Sequence, residues 1–182
     1  MSTFLIASDL HGSAKYVRLL MERFEKVGAE RMLLLGDLLY HGPRNGLPEE
    51  YDPKEVIRLL ETVQNRVLCV RGNCDAEVDQ MVLPFPILAD YAVLPVGDRL
   101  LYMTHGHQHN QQTPPPLQPG DLLLCGHTHV PKCEDCGTFT YLNPGSVSLP
   151  KEDSRHSYMT LTDGQFQWKD LLTGETYREF RV

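Results

Sequence analysis

Residues 3–11 read TFLIASDLH. An apolar run of strand length, with no polar alternation, stops abruptly at Ser8, Asp9 and His11. Such a run is the mark of a strand buried on both faces. The same form recurs four times: RMLLLGD at 31–37, RVLCVRGN at 66–73, RLLYMTH at 99–105 and DLLLCGHTH at 121–129. Each run ends in Asp, Asn or His. Open α/β sheets carry their sites beyond the carboxyl ends of their strands. Five such ends predict hard-metal ligands converging on one rim.

Working outward, the first half reads β-α-β-α-β, with strands at 3–8, 31–35 and 66–71. A helix over 13–27 has Ser13 as N-cap, apolar positions Val17, Leu20, Met21 and Phe24, and Gly28 as its stop. A second, over 53–64, opens at Pro53 behind Asp52. Alternating helices and unbroken apolar strands imply a parallel sheet. After residue 75 the pattern changes to short strands near 91–96, 99–104, 121–125, 138–142, 157–162, 165–172 and 175–181, with one short helix around 76–82. These strands are expected to form a second, mixed or antiparallel sheet packed face to face with the first, helices covering the outer faces. The expected class is α/β, an α-β-β-α sandwich, in one domain over residues 1–182.

Hydrophobic residues make up 41% and charged residues 23% of the chain, with a net charge of −7. That balance places it among globular proteins and argues against a nucleic-acid partner, which demands a basic surface. The start, MSTFLIASDLHG, has no basic leader region, and no apolar run approaches the ~20 residues of a membrane span. Five cysteines, three at or beside strand ends, suit reduced thiols. The expected setting is cytoplasmic, with no membrane partner.

Taken singly, Asp9-x-His11, Asp37 after Gly36, Asn73 after Gly72, His105-Gly106-His107 and His127-Thr128-His129 each read as an ordinary turn or polar pair. Together, at five strand ends, they read as a metal site. Asp, Asn and His without a well-placed thiolate suit Mn, Fe, Ni, Zn or Mg. Six or seven ligands exceed the four of one tetrahedral ion, whereas two ions sharing a carboxylate use them all. Such a pair clamps a phosphoryl centre and generates hydroxide near neutral pH.

In this order the motifs Asp9-Leu10-His11, Gly36-Asp37, Gly72-Asn73-Cys74-Asp75, His105-Gly106 and Gly126-His127-Thr128-His129 resemble those of the metallophosphoesterase (calcineurin-like phosphoesterase) superfamily. His41-Gly42-Pro43-Arg44-Asn45 and Asn143-Pro144-Gly145-Ser146-Val147-Ser148 are similar to its small bacterial phosphodiesterases. The resemblance implies a two-sheet sandwich with two divalent ions, Mn the expected species and Mg, Ni, Fe or Zn compatible. One ion would take Asp9, His11, Asp37 and His129, the other Asp37, Asn73, His105 and His127, with Asp37 bridging. A hydroxide between them would attack phosphorus in line, and Asp75 would orient a neighbouring group. Many members have a histidine after the motif asparagine as general acid; Cys74 stands there here. A thiol serves an oxyanion less well than imidazolium, so good leaving groups such as aryl diesters are expected. His41 and His107 are alternative acids or substrate contacts. Arg44 is the expected phosphate contact, and Arg71 either a second one or a partner to a local carboxylate.

The expected activity is hydrolysis of a small-molecule phosphodiester. Phosphomonoesterase or nucleotide phosphatase is the first alternative and a non-catalytic protein-binding scaffold the second. Cys133-x-x-Cys136 reads as a turn with two free thiols at Gly137. The proline-broken run at 81–88 is expected partly to pack beneath the sheets and partly to lie exposed. With the edge strand at Tyr177–Val182 it marks surfaces for a homo-oligomer, a dimer or tetramer.

Overall fold

The computed structural model describes residues 2–182. Strand β1 (Thr3–Ala7) pairs in parallel with β2 (Arg31–Leu34), and β2 with β3 (Val67–Cys69). Helix α1 (Ala14–Lys26) connects the first two and α2 (Pro53–Glu61) the second two. The Ser13 hydroxyl accepts from the Tyr16 N–H, and Asp52 accepts from the Glu55 N–H. Both side chains satisfy helix-end donors that have no intrahelical partner. Helix α2 ends before its expected limit, and Gln64–Arg66 close as a 3-10 turn. The short helix appears as α3 (Glu77–Gln80).

The second sheet runs β4 (Ala92–Val96), β5 (Arg99–Met103), β6 (Leu122–Leu124), β8 (Thr140–Asn143) and β7 (Lys132–Asp135). It is mixed: β5, β6 and β8 are parallel, with β4 and β7 antiparallel at the edges. The last three strands depart from expectation. β9 (Ser157–Thr162), β10 (Gln165–Asp170) and β11 (Thr176–Arg181) belong to the first sheet. β9 lies antiparallel to β1, in register Ile6↔Met159. The free edge of β1 leaves a row of unpaired backbone groups, and β9 satisfies it.

The continuous apolar runs serve two cores. Leu5, Ala7, Met32 and Leu34 face α1 and α2, meeting Val17, Leu20, Phe24, Val56 and Leu60. Ile6, Leu33 and Leu35, with Trp168 of the same sheet, face the other sheet and meet Leu101, Met103, Leu122 and Leu124. The outer face of the second sheet is covered differently: Leu123, Cys125, Phe139 and Tyr141 pack with Leu117 of the preceding loop. Cys133 packs toward the inter-sheet core and Cys136 toward that outer face, so the thiols lie on opposite sides of the sheet. In the run at 81–88, Leu83, Phe85 and Ile87 are buried, while Met81 and Val82 are exposed.

Candidate metal centre

The strand ends meet at one edge of the sandwich. Asp9, His11, Asp37, His127 and His129 all have positive φ, between 47° and 66°, and make up five of the nine such non-glycine residues described. Each costs on the order of 1 kcal/mol, and the sharp turns they form aim the side chains inward. Two glycines permit the packing. A Cβ on Gly72 would overlap the Asp37 carboxylate, and one on Gly126 would overlap the Ser8 hydroxyl.

Hydrogen bonds hold these turns. The hydroxyls of Ser146 and Ser148 both donate to the Asp9 carbonyl, at 2.8 and 2.9 Å. The Asn143 amide donates to the Gly126 carbonyl at 2.7 Å and the Thr128 hydroxyl at 3.1 Å. Asp75 is buried, and its carboxylate accepts from the N–H groups of Asp37, Leu38 and Gly72 at 2.7–2.9 Å. Burial pushes this carboxyl up, and the three donors oppose that push. Asp75 thus ties two strand-end loops together and turns away from the cleft, which makes it a positioning residue.

His11 Nδ1 donates to the Tyr40 carbonyl at 2.7 Å, His105 Nδ1 to the Leu35 carbonyl at 2.6 Å and His129 Nδ1 to the Leu149 carbonyl at 2.6 Å. A carbonyl only accepts, so each Nδ1 carries the proton and each neutral ring presents an Nε2 lone pair inward. His11 Nε2 lies 3.2 Å from His129 Nε2, and His105 Nε2 lies 3.1 Å from Asn73 Oδ1. His127 enters differently, with Nδ1 3.3 Å from His105 Nε2.

Asp9 Oδ1 is buried without a hydrogen bond, 3.2 Å from His129 Nε2 and 3.6 Å from His11 Nε2. Asp37 Oδ2 lies 3.6 Å from His11 Nε2 and 3.5 Å from His105 Nε2. Acceptor faces acceptor throughout, an arrangement that requires a proton or a cation among the lone pairs. With no cation there, burial disfavours charge on His105, but the Asp37 carboxylate outweighs it and holds the ring up at about 9. Burial and the positive charge on the His105 ring push His127 down to about 4. The donor set fits divalent metal: Asp9, His11 and His129 form one compact group, and Asp9, Asp37 and His105 another.

A cleft of about 430 Å³ opens over these groups, lined among others by Asp37, Asn73, Cys74, His127 and His129. Arg44, expected from sequence to contact a phosphate, lines it, and so do Lys151 and Thr128, which the sequence did not single out. Lys151 is an exposed loop cation with no pattern around it; its backbone N–H bonds the His129 carbonyl at 3.3 Å. His41 and His107 are not among the cleft-lining residues. His41 stands edge-on to Tyr51, with ring centroids 5.3 Å apart, and His107 lies 5.4 Å from the His105 ring. Both Nδ1 atoms are buried without a hydrogen bond. Arg71 pairs with Glu77 at 3.2 Å and so takes the local-carboxylate role. Cys74 Sγ lies among the ligand atoms of His11 and Asp37. Burial and the adjacent Asp37 carboxylate push its thiol up to about 12.

Comparison with known proteins places these features in context. The calcineurin-like phosphoesterase superfamily domain matches residues 2–164. Phosphodiesterase YfcE of Escherichia coli K12 is 45% identical over 158 residues, 87% of this chain and 86% of that protein. The solved structure of E. coli YfcE, a phosphoesterase, superposes with a TM-score of 0.95 at 40% identity, covering 99% of each chain. Vps29 of Entamoeba histolytica, solved with zinc, aligns with a TM-score of 0.62 at 22% identity over 99% of this chain and 98% of its own, a likeness of fold.

Proposed function

The chain belongs to the calcineurin-like phosphoesterase superfamily, and on that premise we propose that it is a phosphodiesterase hydrolysing small organic phosphodiesters at a centre of two divalent metal ions. The observation that carries this reading is the set of inward lone pairs: His11, His129, His105, Asn73 and the unbonded Asp9 Oδ1 all face one another. Asp37 Oδ2 reaches the histidines of both halves of the set, which suits it to be the shared ligand between Asp9, His11 and His129 on one side and Asn73, His105 and His127 on the other. Two divalent ions bound there, Mn by preference, would supply Lewis acidity and a hydroxide nucleophile near neutral pH.

The chain's own groups do the rest. Arg44 and Lys151 stand on the cleft wall where phosphoryl oxygens would lie, and a guanidinium fork matches two such oxygens. Cys74 occupies the place of a general acid, and a neutral thiol stabilises a developing alkoxide less well than an imidazolium would. A departing alkoxide receives little help from it, which favours esters whose alcohol leaves unassisted. Asp75 and Asn143 hold the strand-end turns so that the ligands are placed before substrate arrives.

Metal add-back to chelated protein tests this reading. Mn, Mg, Ni and Zn are supplied in turn with an aryl phosphodiester and the matching monoester. The expected result is metal-dependent release from the diester, abolished by Asp37→Ala in a protein that still folds. Cleavage of the monoester alone would replace the reading with a phosphomonoesterase. Cleavage of neither, in a protein that binds metal, would move it to a non-catalytic scaffold.

A further inference from the structure

A second concavity, of about 500 Å³, adjoins the metal centre and has the opposite chemistry. Tyr40, Tyr51, Pro53, Ile57, Val78 and Val82 line it. Its one carboxylate, Asp79, is spent on the Ala76 N–H at 2.8 Å at the start of α3. Val78, Val82 and Tyr40 are 63%, 48% and 43% exposed, so apolar and aromatic surface stands open to water here with nothing buried against it. Isolated exposed apolar residues need no explanation, but a contiguous apolar concavity does.

The groove is joined to the centre at two points. Cys74 lines both the groove and the metal cleft, and its Sγ lies among the His11 and Asp37 ligand atoms. Tyr40 walls the groove with its side chain while its carbonyl holds His11 Nδ1 at 2.7 Å. Tyr40 and Tyr51 also flank the His41 ring, with centroids 4.8 and 5.3 Å away, which fixes the aromatic wall beside the centre. A phosphorus atom over the ligands therefore has Arg44 and Lys151 in the wall of its own cleft and an apolar trough that begins at Cys74.

We propose that this groove is a substrate subsite for one apolar, preferably aromatic, ester arm of the phosphodiester. The inference rests on the phosphodiesterase reading and narrows its substrate class to diesters with unlike arms, one of them apolar. A phosphodiester has two arms and a single charge. A cationic cleft fits the charge, and a hydrophobic trough opening beside it fits an arm that water does not hold.

Binding measured without turnover separates this from the reading it rests on. Methylphosphonate, butylphosphonate and phenylphosphonate, which have one arm each on an uncleavable P–C bond, are titrated calorimetrically into Mn-loaded protein. The Kd is expected to fall about tenfold from the methyl to the phenyl compound, in line with small apolar increments in enzyme pockets. The double substitution Val78→Gln with Val82→Gln, at exposed positions, should bring that ratio to about one and leave the methylphosphonate Kd unchanged. Leu172→Gln, an exposed apolar position outside the groove, should leave the ratio intact. Equal Kd values in the unmodified protein would overturn the proposal, as would a ratio that survives the double substitution. Loss of self-association in the double variant with the ratio unchanged would give the groove to a second copy of the chain. If no phosphonate binds, the phosphoryl site itself fails and the subsite with it. If they bind with the expected ratio but no diester is cleaved, the subsite stands and the catalytic reading falls.

Discussion

His11 and His129 face each other Nε2 to Nε2 at 3.2 Å, although 118 residues separate them, and both Nδ1 protons are committed to backbone carbonyls. A divalent ion among these lone pairs binds the folded chain and finds no comparable site in the unfolded one. At free Mn about 100-fold above its Kd, mass action adds about 2.7 kcal/mol of stability, or roughly 5–10 °C for a chain of this size. Scanning calorimetry of chelated and Mn-loaded protein reads this directly. Superimposable melting curves would remove the metal site from consideration.

Asp75→Asn should be strongly destabilising. An amide has one acceptor oxygen for three backbone donors, and its NH₂ opposes at least one of them. Loss of charge-assisted bonds in a buried place costs about 2–4 kcal/mol. Urea denaturation should show a lower midpoint with the slope unchanged, and metal affinity should fall too, because the Asp37 turn loosens. A near-normal midpoint would mean that the clamp is dispensable.

At Lys151, the effect should appear on substrate binding alone. Lys151→Gln removes a rim charge without touching a ligand, so KM for a diester should rise about fivefold, the value of about 1 kcal/mol for an exposed charge contact, with kcat within a factor of two. Lys151→Arg should restore most of the loss. A fall in kcat at constant KM would place Lys151 in the chemistry instead.

Cys74→His tests the weak-acid argument. An imidazolium at this position should speed cleavage of a diester with a poor leaving group by up to about 10²-fold, within the usual range of general acid catalysis, and change an aryl diester much less. Equal effects on both substrates would point to altered metal binding.

A pH effect is expected at a carboxylate that is not among the proposed ligands. Burial pushes Asp170 up, but the Thr173 and Leu172 N–H groups and the Arg155 guanidinium outweigh it and hold the carboxyl below its usual range. A depressed folded pKa gives stability that is present above the unfolded value near 3.9 and is lost as pH falls through the folded value. Asp170→Asn should therefore cost about 1 kcal/mol at pH 7, and the gap should close on acidification below pH 4. Urea midpoints for both proteins between pH 7 and 3 check this; a gap that is constant with pH contradicts it.

Much of the molecule was legible because the central strands are simple. β1, β2 and β6 are apolar on both faces, and their ends are abrupt, so the chain itself punctuates where ligands begin. The return of β9–β11 to the first sheet was not legible, since nothing local to residues 157–181 states which edge they will cover; that is settled by the unpaired side of β1. β7 was missed because Lys132, Glu134 and Asp135 give an edge strand no apolar rhythm. Lys151 lines the cleft from a loop bonded to the His129 carbonyl, a relationship between distant segments that residue type does not announce. His41 and His107 illustrate the reverse: histidines close to the motifs in sequence that do not line the cleft.

The positive φ angles at Asp9, His11, Asp37, His127 and His129 carry an implication for how this scaffold tolerates change. At each of these positions glycine relaxes the backbone, whereas the side chain that serves the metal strains it. A library of variants sorted only for heat resistance in the presence of chelator would drift toward inactive chains, and would do so at the strand ends first. Thermal hardening of this protein is better sought in β10, β11 and the outer helices, with hydrolysis kept in the screen.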